Sequence, residues 1–261
     1  MSKNEGYFDI RDEVRDCYAS IAREEGRCCE ATASCGCGTI SERIGYSKEA
    51  LGELPAGAEM GLGCGNPISI ARLQPGETVV DLGSGGGIDC FLASKEVGDA
   101  GKVIGVDMTP DMLSKARRNA AAGGYSNVEF RLGEIENLPV ADSSAEVLIS
   151  NCVINLSRNK LQVYREAFRV LKPGGRLAVA DMVALQPLPE ALKNDLTAYT
   201  GCIAGAALVD QVKGWLEEAG FQQVEVRVKQ RSREFIRNPE AVAQLDDFIA
   251  SADVTAAKPK N

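Results

Sequence analysis

The sequence predicts an α/β fold built on a doubly wound, mostly parallel sheet, and three observations predict it. Short runs rich in Val, Ile and Leu recur through the middle of the chain, each bounded by Gly, Pro, Asp or Asn. Stretches with apolar residues at helical spacing separate these runs, and a glycine-rich loop follows the first of them. Strands that alternate with helices in this way form a parallel sheet with right-handed crossovers.

The apolar runs are predicted as buried parallel strands, because both faces of such strands are covered and their sequences are apolar throughout. They lie at Glu77–Gly83, Lys102–Asp107, Val128–Leu132, Glu146–Asn151 and Arg176–Asp181. The helices between them are predicted at Asp89–Val97, Pro110–Ala122 and Lys160–Leu171. Thr109-Pro110-Asp111 combines a cap, a first-turn proline and an acid, which is typical of a helix N-terminus.

One amphipathic helix is predicted before the sheet, and a mixed segment is predicted after it. Ile10–Arg23 places apolar residues, among them Val14 and Cys17, on one helical face. The later elements are predicted as helices at Pro189–Thr200 and Leu208–Ala219, candidate strands at Val224–Val228 and Arg233–Phe235, an amphipathic helix at Pro239–Ser251, and a frayed tail at Ala252–Asn261. These last segments predict a small α+β extension at the C-terminus.

The composition of the chain excludes some classes of function and limits the chemistry available to it. The chain has 261 residues, of which 44% are hydrophobic, enough for one main domain. A formal net charge of −8 argues against nucleic-acid binding, and no apolar run approaches the roughly 18 residues of a membrane-spanning helix. The chain contains nine cysteines and no histidine, so its chemistry must rest on sulfur, carboxylate, tyrosine or a cofactor. We expect a cytoplasmic protein in which these thiols are reduced rather than a disulfide framework.

The glycine-rich loop predicts a nucleotide-type cofactor. Asp81-Leu-Gly-Ser-Gly-Gly-Gly87 joins a strand to a helix, and Asp107 ends the next strand 20 residues after the loop, where a carboxylate can accept both ribose hydroxyls. The loop alone leaves a dinucleotide and S-adenosylmethionine as candidates. Asp81 favours the second, because its charge would repel a pyrophosphate and attract a methionyl ammonium group.

This loop resembles motif I of the class I S-adenosylmethionine-dependent methyltransferases, which have a Rossmann-like fold. The resemblance covers the chain from about residue 78 to residue 221. It implies a set of cofactor-binding residues, which are Asp81, Gly83, Ser84, Gly85, Asp107, Met108, Gly133, Glu134, Ile135 and Asn151.

Three cysteines are predicted near the cofactor. Cys64 lies in a glycine-rich run that predicts an exposed thiol, Cys152 directly follows the fourth strand, and Cys202 follows the fifth strand and its helix. Residues at the carboxyl ends of parallel strands face the ligand crevice. Three such thiolates suit zinc, copper(I), trivalent arsenic or trivalent antimony, and the lack of Cys-x-x-Cys pairs favours a three-coordinate metalloid over zinc. Cys17 and Cys90 are predicted to be core residues.

The cysteine motifs resemble those of the arsenite methyltransferases. They are Gly63-Cys64-Gly-Asn-Pro67, Asn151-Cys152-Val-Ile-Asn-Leu-Ser157 and Thr200-Gly-Cys202, beside Gly105-Val-Asp-Met-Thr-Pro110 and Ile44-Gly-Tyr-Ser47. The resemblance implies arsenite as the small-molecule substrate and activity that depends on Cys64, Cys152 and Cys202, with arsenic bound by these thiolates.

The resemblance also implies a transient disulfide between Cys64 and an N-terminal cysteine, re-reduced by thioredoxin or glutathione. Cys35 and Cys37 are the favoured partners, although the Cys28-Cys29 pair also qualifies.

The predicted organisation has three parts. Residues 1–66 form an N-terminal helix and cysteine-rich loop, residues 67–222 form the S-adenosylmethionine-binding methyltransferase domain, and residues 223–261 form the C-terminal extension. Two alternatives share this fold: a methyltransferase for another small acceptor with structural or zinc-bound cysteines, and a non-catalytic metalloid sensor. Methyltransferase scaffolds serve many substrates, so the fold alone does not separate these functions.

Overall fold

A single eight-stranded sheet organises the protein. The computed structural model describes residues 9–23, 41–229 and 245–260. The strands are β1 (Thr78–Leu82), β2 (Lys102–Asp107), β3 (Val128–Leu132), β4 (Ala145–Asn151), β5 (Leu171–Ala184), β6 (Ala207–Leu208), β7 (Gln222–Val228) and β8 (Ile249–Ala257). Their order across the sheet is β3-β2-β1-β4-β5-β8-β7, with β6 paired to β5. Strands β1 to β6 pair in parallel, whereas β8 runs antiparallel to both β5 and β7.

The helices precede the sheet or connect its strands. They are α1 (Ile10–Arg23), α2 (Lys48–Gly52), α3 (Ile68–Ala71), α4 (Ile88–Val97), α5 (Pro110–Gly123), a 3-10 turn (Ile154–Leu156), α6 (Lys160–Val170), α7 (Glu190–Lys193), α8 (Leu196–Thr200), α9 (Val209–Glu218) and α10 (Leu245–Phe248). None of the helices in the described residues is long and apolar enough to cross a membrane.

Two hydrophobic layers cover the two faces of the sheet. Successive residues of a strand point to opposite faces, so Val79 packs in one layer and Val80 in the other. The first layer includes Phe91 of α4 and Leu113 of α5, and the second includes Leu216 of α9. Helices therefore lie on both faces, which confirms the predicted doubly wound α/β fold.

The first four predicted strands, which are β1 to β4, and the three helices predicted between the strands are confirmed to within a few residues. β5 is longer than predicted because it pairs with β4 along one edge and with β8 along the other. The single helix predicted at Pro189–Thr200 is wrong. The chain forms two short helices there, and the Asp195 side chain accepts a 2.7 Å hydrogen bond from the Ala198 amide to start the second.

The strand predicted at Val224–Val228 is confirmed as part of the antiparallel β7, and Leu245–Phe248 is helical as predicted, but the prediction for the residues after Phe248 is wrong. The segment predicted as the end of a helix and a frayed tail instead contains β8, which lies between β5 and β7. Its first residues, Ile249 and Ala250, are fully buried. The alanines of this segment suggest a helix from local preference alone, whereas hydrogen bonding on both sides favours a strand.

Other predictions lie outside the described residues. These are the strand at Arg233–Phe235 and the cysteine-rich part of the N-terminal segment, with Cys28, Cys29, Cys35 and Cys37. The predicted domain boundary at residue 223 stays a prediction. The strand that contains this residue, β7, belongs to the same sheet as the central strands.

Candidate functional site

A cleft opens at the carboxyl ends of the central parallel strands. It encloses about 1100 Å³ of empty space, counting the open volume at its mouth. The glycine loop after β1, the residues after β2 and the residues after β4 form its floor, while α1 and the segment around Met60 form its upper walls. Parallel sheets place their ligands at this edge, so the cleft is the candidate site.

The glycine loop is fixed against β2 by its own backbone. The amides of Gly83 and Ser84 both donate to the Val106 carbonyl, at 2.8 and 3.1 Å. Gly83 has a φ of +69°, and a Cβ at this position would lie 2.5 Å from a methyl carbon of Val153. Only glycine fits both this backbone conformation and this approach. The loop therefore presents bare backbone to the cleft.

Asp107 ties the loop to the end of β2. Its carboxylate accepts hydrogen bonds from the amides of Gly85, at 2.9 Å, and Thr109, at 2.8 Å. The residue is 9% exposed, and burial raises the pKa of its carboxyl. Nearby, the buried hydroxyl of Ser84 has no hydrogen-bond partner among the residues that the structure describes. An unpaired buried hydroxyl is costly unless a ligand satisfies it, so the loop fits a cofactor with polar groups at this point.

Two buried carboxylates lie behind the loop. Asp81 at the end of β1 accepts a hydrogen bond from the Cys90 thiol at 3.2 Å, and Asp89 lies in the first turn of α4. Burial and the nearby Asp89 raise the pKa of Asp81 well above its ordinary value. Burial raises the pKa of Asp89 to about 6, although hydrogen bonds from Tyr46 and Asn151 oppose this shift. The region therefore gains free energy from a cationic ligand such as the methionyl ammonium group.

Asn151 connects these carboxylates to the Cys64 loop. Its amide nitrogen donates to the Tyr46 hydroxyl at 2.8 Å, to the Gly65 carbonyl at 2.9 Å and to Asp89 at 3.2 Å. Its amide oxygen accepts from the Cys64 backbone at 3.0 Å. The side chain of Asn151, which was predicted to bind the cofactor, thus makes its hydrogen bonds to other groups of the protein.

The remaining predicted cofactor residues divide between the cleft and its outer edge. Met108, Gly133 and Ile135 line the cleft. The carboxylate of Glu134 is instead paired with Arg11 of α1 at 3.1 Å, and it is not among the groups that line the cleft. This ion pair holds α1 above the cofactor end of the site.

The three predicted cysteines meet beside the cleft. Cys64 and Cys152 are joined in a disulfide with their Cα atoms 5.6 Å apart, and the Cys202 thiol donates to the Cys152 carbonyl at 2.7 Å. Cys152 and Cys202 have φ values of +57° and +61°, which are uncommon for residues other than glycine. Cys202 is 3% exposed, and burial raises the pKa of its thiol. Strained backbone at both cysteines is typical of a functional site.

The disulfide bears on two expectations, and both stay predictions for the reduced protein. In this oxidised form Cys64 is bonded to Cys152, and their Cα atoms lie within the distance range of disulfides. The pairing with Cys35 or Cys37 stays a prediction, since both lie outside the described residues. The three-thiolate ligand set is also not formed, and residues 9–23, 41–229 and 245–260 contain no group of three His, Cys, Asp or Glu arranged to hold a metal ion.

The remaining described cysteines differ in how deeply they are buried. Cys90 is fully buried, as predicted for a core residue, whereas Cys17 is only partly buried. Cys64 was expected to be exposed and is half-buried, because Asn151 holds its loop against the sheet.

Sequence reasoning missed several residues that build the site. Asp89, Tyr46 and Tyr18 all line the cleft. An acid at the start of an otherwise apolar helix was a signal for Asp89, but Tyr46 and Tyr18 reach the cleft through long-range packing that no local pattern reveals.

Comparisons with known proteins agree with this geometry. Residues 73–220 match a family described as a methyltransferase domain. An arsenite methyltransferase of Halobacterium salinarum is 48% identical over 96% of this chain and 67% of its own length. The chain belongs to the arsenite methyltransferase family. Its human relative, also named arsenite methyltransferase, is 38% identical over 55% of this chain and 40% of its own length.

Solved structures agree with this family assignment. The arsenic(III) S-adenosylmethionine methyltransferase of Chlamydomonas reinhardtii matches with a TM-score of 0.64 and 34% identity, covering 85% of this family member and 74% of the algal chain. A phosphoethanolamine N-methyltransferase of Haemonchus contortus in complex with S-adenosyl-L-methionine matches with a TM-score of 0.66 and 16% identity, covering 98% of this chain and 61% of its own. At that identity it shows the class I methyltransferase fold alone. This family member spans less than half the length of the human relative.

Proposed function

We propose that the protein transfers a methyl group from S-adenosylmethionine to trivalent arsenic held by Cys64, Cys152 and Cys202 in their reduced form. One observation carries the proposal: three cysteines from three separate loops meet beside a cleft whose other end suits a cationic nucleoside. Thiolates are soft ligands, which suits the arsenic.

The cofactor end of the cleft has the groups that S-adenosylmethionine requires. Asp107 would accept the ribose hydroxyls, and the loop from Gly83 to Gly85 would lie against the cofactor. Asp81 does not line the cleft, and it would attract the ammonium group from behind the loop. When bound, the cofactor would supply an electrophilic methyl group: the lone pair of As(III) would form the As–C bond as the C–S bond breaks, and S-adenosylhomocysteine would leave as a neutral thioether.

The cysteines would bind arsenite without a general base. Each thiol replaces one arsenite hydroxyl by an As–S bond, and the thiol proton leaves with that hydroxyl as water. The Cys202 thiol has a pKa raised by burial, so it is protonated at neutral pH in the free protein and carries its own proton to the departing hydroxyl. This chemistry explains how a chain without histidine can bind the substrate.

The cysteines would also restore the oxidation state of arsenic. Methyl transfer changes arsenic formally from +3 to +5, and the return to +3 needs two electrons. Two thiolates supply them when they join in a disulfide, for which we propose Cys64 with Cys35 or Cys37. The sulfur of Cys64 already forms a disulfide with Cys152, which supports a role for Cys64 in thiol exchange.

Cytoplasmic thioredoxin or glutathione would then reduce this disulfide. Exchange with a thiolate requires an accessible sulfur, and the half-buried Cys64 is the most accessible of the three site cysteines.

Cysteine variants test this proposal. Cys152→Ser and Cys202→Ser remove one arsenic ligand each, so we expect both to lose arsenite methylation while they still bind S-adenosylmethionine. Cys17→Ser is the matched control, because Cys17 is a partly buried thiol of α1 and is not among the residues that line the cleft. A Cys152→Ser protein that methylates arsenite at the wild-type rate would contradict the proposal.

A further inference from the structure

A buried polar pair lies beneath the cysteines and is used by no step proposed so far. Asn155 follows Cys152 in the 3-10 turn, and Asp181 lies near the end of β5. The two side chains are 4% and 5% exposed. The Asn155 amide nitrogen donates to the Asp181 carboxylate at 2.9 Å and to the Met182 carbonyl at 2.7 Å.

Asp181 anchors the Cys152 loop to the sheet. One carboxylate oxygen accepts from the Ile154 amide at 3.1 Å, and the other accepts from the Met182 amide at 2.8 Å. The turn after Cys152 is therefore held to the end of β5 by hydrogen bonds to both oxygens of one buried carboxyl group.

Asn155 extends this anchor to the Cys202 loop. Its amide nitrogen is 3.4 Å from the Cys202 carbonyl oxygen. The two loops also touch through their backbones, because a Cβ at Gly205 would overlap the Asn155 carbonyl oxygen. A third link is the Tyr199 hydroxyl, which donates to the Leu156 carbonyl at 2.8 Å.

Arsenic binding would remove one of the links between these loops. The Cys202 thiol donates its proton to the Cys152 carbonyl in the free protein, and this bond is lost once the sulfur binds arsenic. The contacts of Asn155 do not depend on that proton. Together with the hydrogen bond between Tyr199 and Leu156, they remain when the two sulfurs share a ligand.

We infer that Asn155 and Asp181 are positioning residues that set the separation of the Cys152 and Cys202 sulfurs for a trivalent arsenical. This inference rests on the proposed function. Neither side chain lines the cleft, so both act through the two cysteine loops.

The test measures two affinities on the reduced protein, one at each end of the cleft. Phenylarsine oxide is the probe for the thiols, because its arsenic joins two thiols with release of one water. We expect Asn155→Ala to weaken phenylarsine oxide binding about tenfold, from the loss of its buried hydrogen bonds to Asp181 and to the Cys202 loop. The KM for arsenite should rise by a similar factor, while kcat and the Kd for S-adenosylmethionine change by less than about twofold.

Asn119→Ala is the matched control at the other end of the cleft. Asn119 is also a buried asparagine, 6% exposed, and its amide donates to the Gly86 carbonyl of the cofactor loop at 3.0 Å. We expect this variant to weaken S-adenosylmethionine binding and to leave phenylarsine oxide binding unchanged. The opposite responses of two similar substitutions separate positioning from a general loss of stability.

Two further variants apply if Asn155→Ala does not fold. Asp181→Asn keeps the shape of the anchor and replaces one of its two hydrogen-bond-accepting oxygens by an amide nitrogen, and Gly205→Ala pushes the two loops apart without changing Asn155. Both should lose phenylarsine oxide affinity while retaining that for S-adenosylmethionine. The inference is overturned if folded variants bind phenylarsine oxide as tightly as the wild type, or if both affinities fall together. A protein that carries both Cys152→Ser and Cys202→Ser and binds phenylarsine oxide as tightly as the wild type would instead overturn the proposed function.

Discussion

Replacing Asn151 with alanine should destabilise the protein far more than an ordinary substitution at a half-buried position. The side chain joins three separate parts of the site. Its oxygen holds the Cys64 loop, while its nitrogen holds the Tyr46 hydroxyl, the Gly65 carbonyl and Asp89. Alanine would leave each of these groups without that partner.

The size of the expected loss in the free energy of unfolding follows from the number of hydrogen bonds that the side chain makes. The nitrogen has two hydrogens for its three acceptors, so the side chain supplies about three full hydrogen bonds, one of them to a carboxylate. At about 1 kcal/mol for each neutral bond and roughly 2 for the charged one, the free energy of unfolding should fall by about 4 kcal/mol. That loss corresponds to a decrease of roughly 8 to 16 °C in Tm for a chain of this size.

Chemical and thermal unfolding of the reduced protein measure this effect. Asn159→Ala is the control, because Asn159 is an exposed asparagine whose side chain accepts a hydrogen bond from the Gln162 amide at 3.2 Å to cap α6. That variant should lose about 1 kcal/mol. If Asn151→Ala unfolds within about 1 kcal/mol of the wild type, the network is not a structural support of the Cys64 loop.

Three other predictions concern the cofactor loop and the buried anchor. Ser84→Ala should leave Tm unchanged and weaken S-adenosylmethionine binding in calorimetry, because the Ser84 hydroxyl has no hydrogen-bond partner in the described part of the chain; unchanged affinity would contradict this role. Gly83→Ala should weaken S-adenosylmethionine binding by more than about tenfold, since its φ of +69° and the approach of Val153 exclude a side chain, and equal affinity would refute the packing argument. Burial raises the pKa of Asp181 from 3.8 to about 7, so the folded state binds the proton more tightly than the unfolded state does. The stability that comes from this proton is complete below the pKa of the unfolded state and is lost as the pH rises through about 7. Urea unfolding should therefore show the wild type losing stability relative to Asp181→Asn between about pH 4 and pH 8, and parallel pH profiles would exclude this titration.

The central part of the fold was predictable because local pattern and tertiary structure agree there. A glycine loop after an apolar run fixes β1 and α4, and the carboxyl ends of parallel strands must share one edge of the sheet. Cys152 was therefore predicted at the cleft from its place after β4 alone.

The parts that were mispredicted depend on partners distant in the sequence. Segment β8 is rich in alanine and becomes a strand because β5 and β7 flank it. Tyr46 reaches Asp89 across 43 residues, and Asn155 reaches the Cys202 carbonyl across 47. The left-handed backbone at Cys152 has no sequence signal of the kind that glycine gives.

The most direct test of the account is the identity of the methylated product. Reduced wild-type protein is incubated with S-adenosylmethionine and arsenite, and arsenic species are separated by chromatography with elemental detection alongside S-adenosylhomocysteine. We expect methylated arsenic, with one molecule of S-adenosylhomocysteine formed for each methyl group found on arsenic. S-adenosylmethionine that binds without forming methylated arsenic would contradict it, and would favour another methyl acceptor or a metalloid sensor.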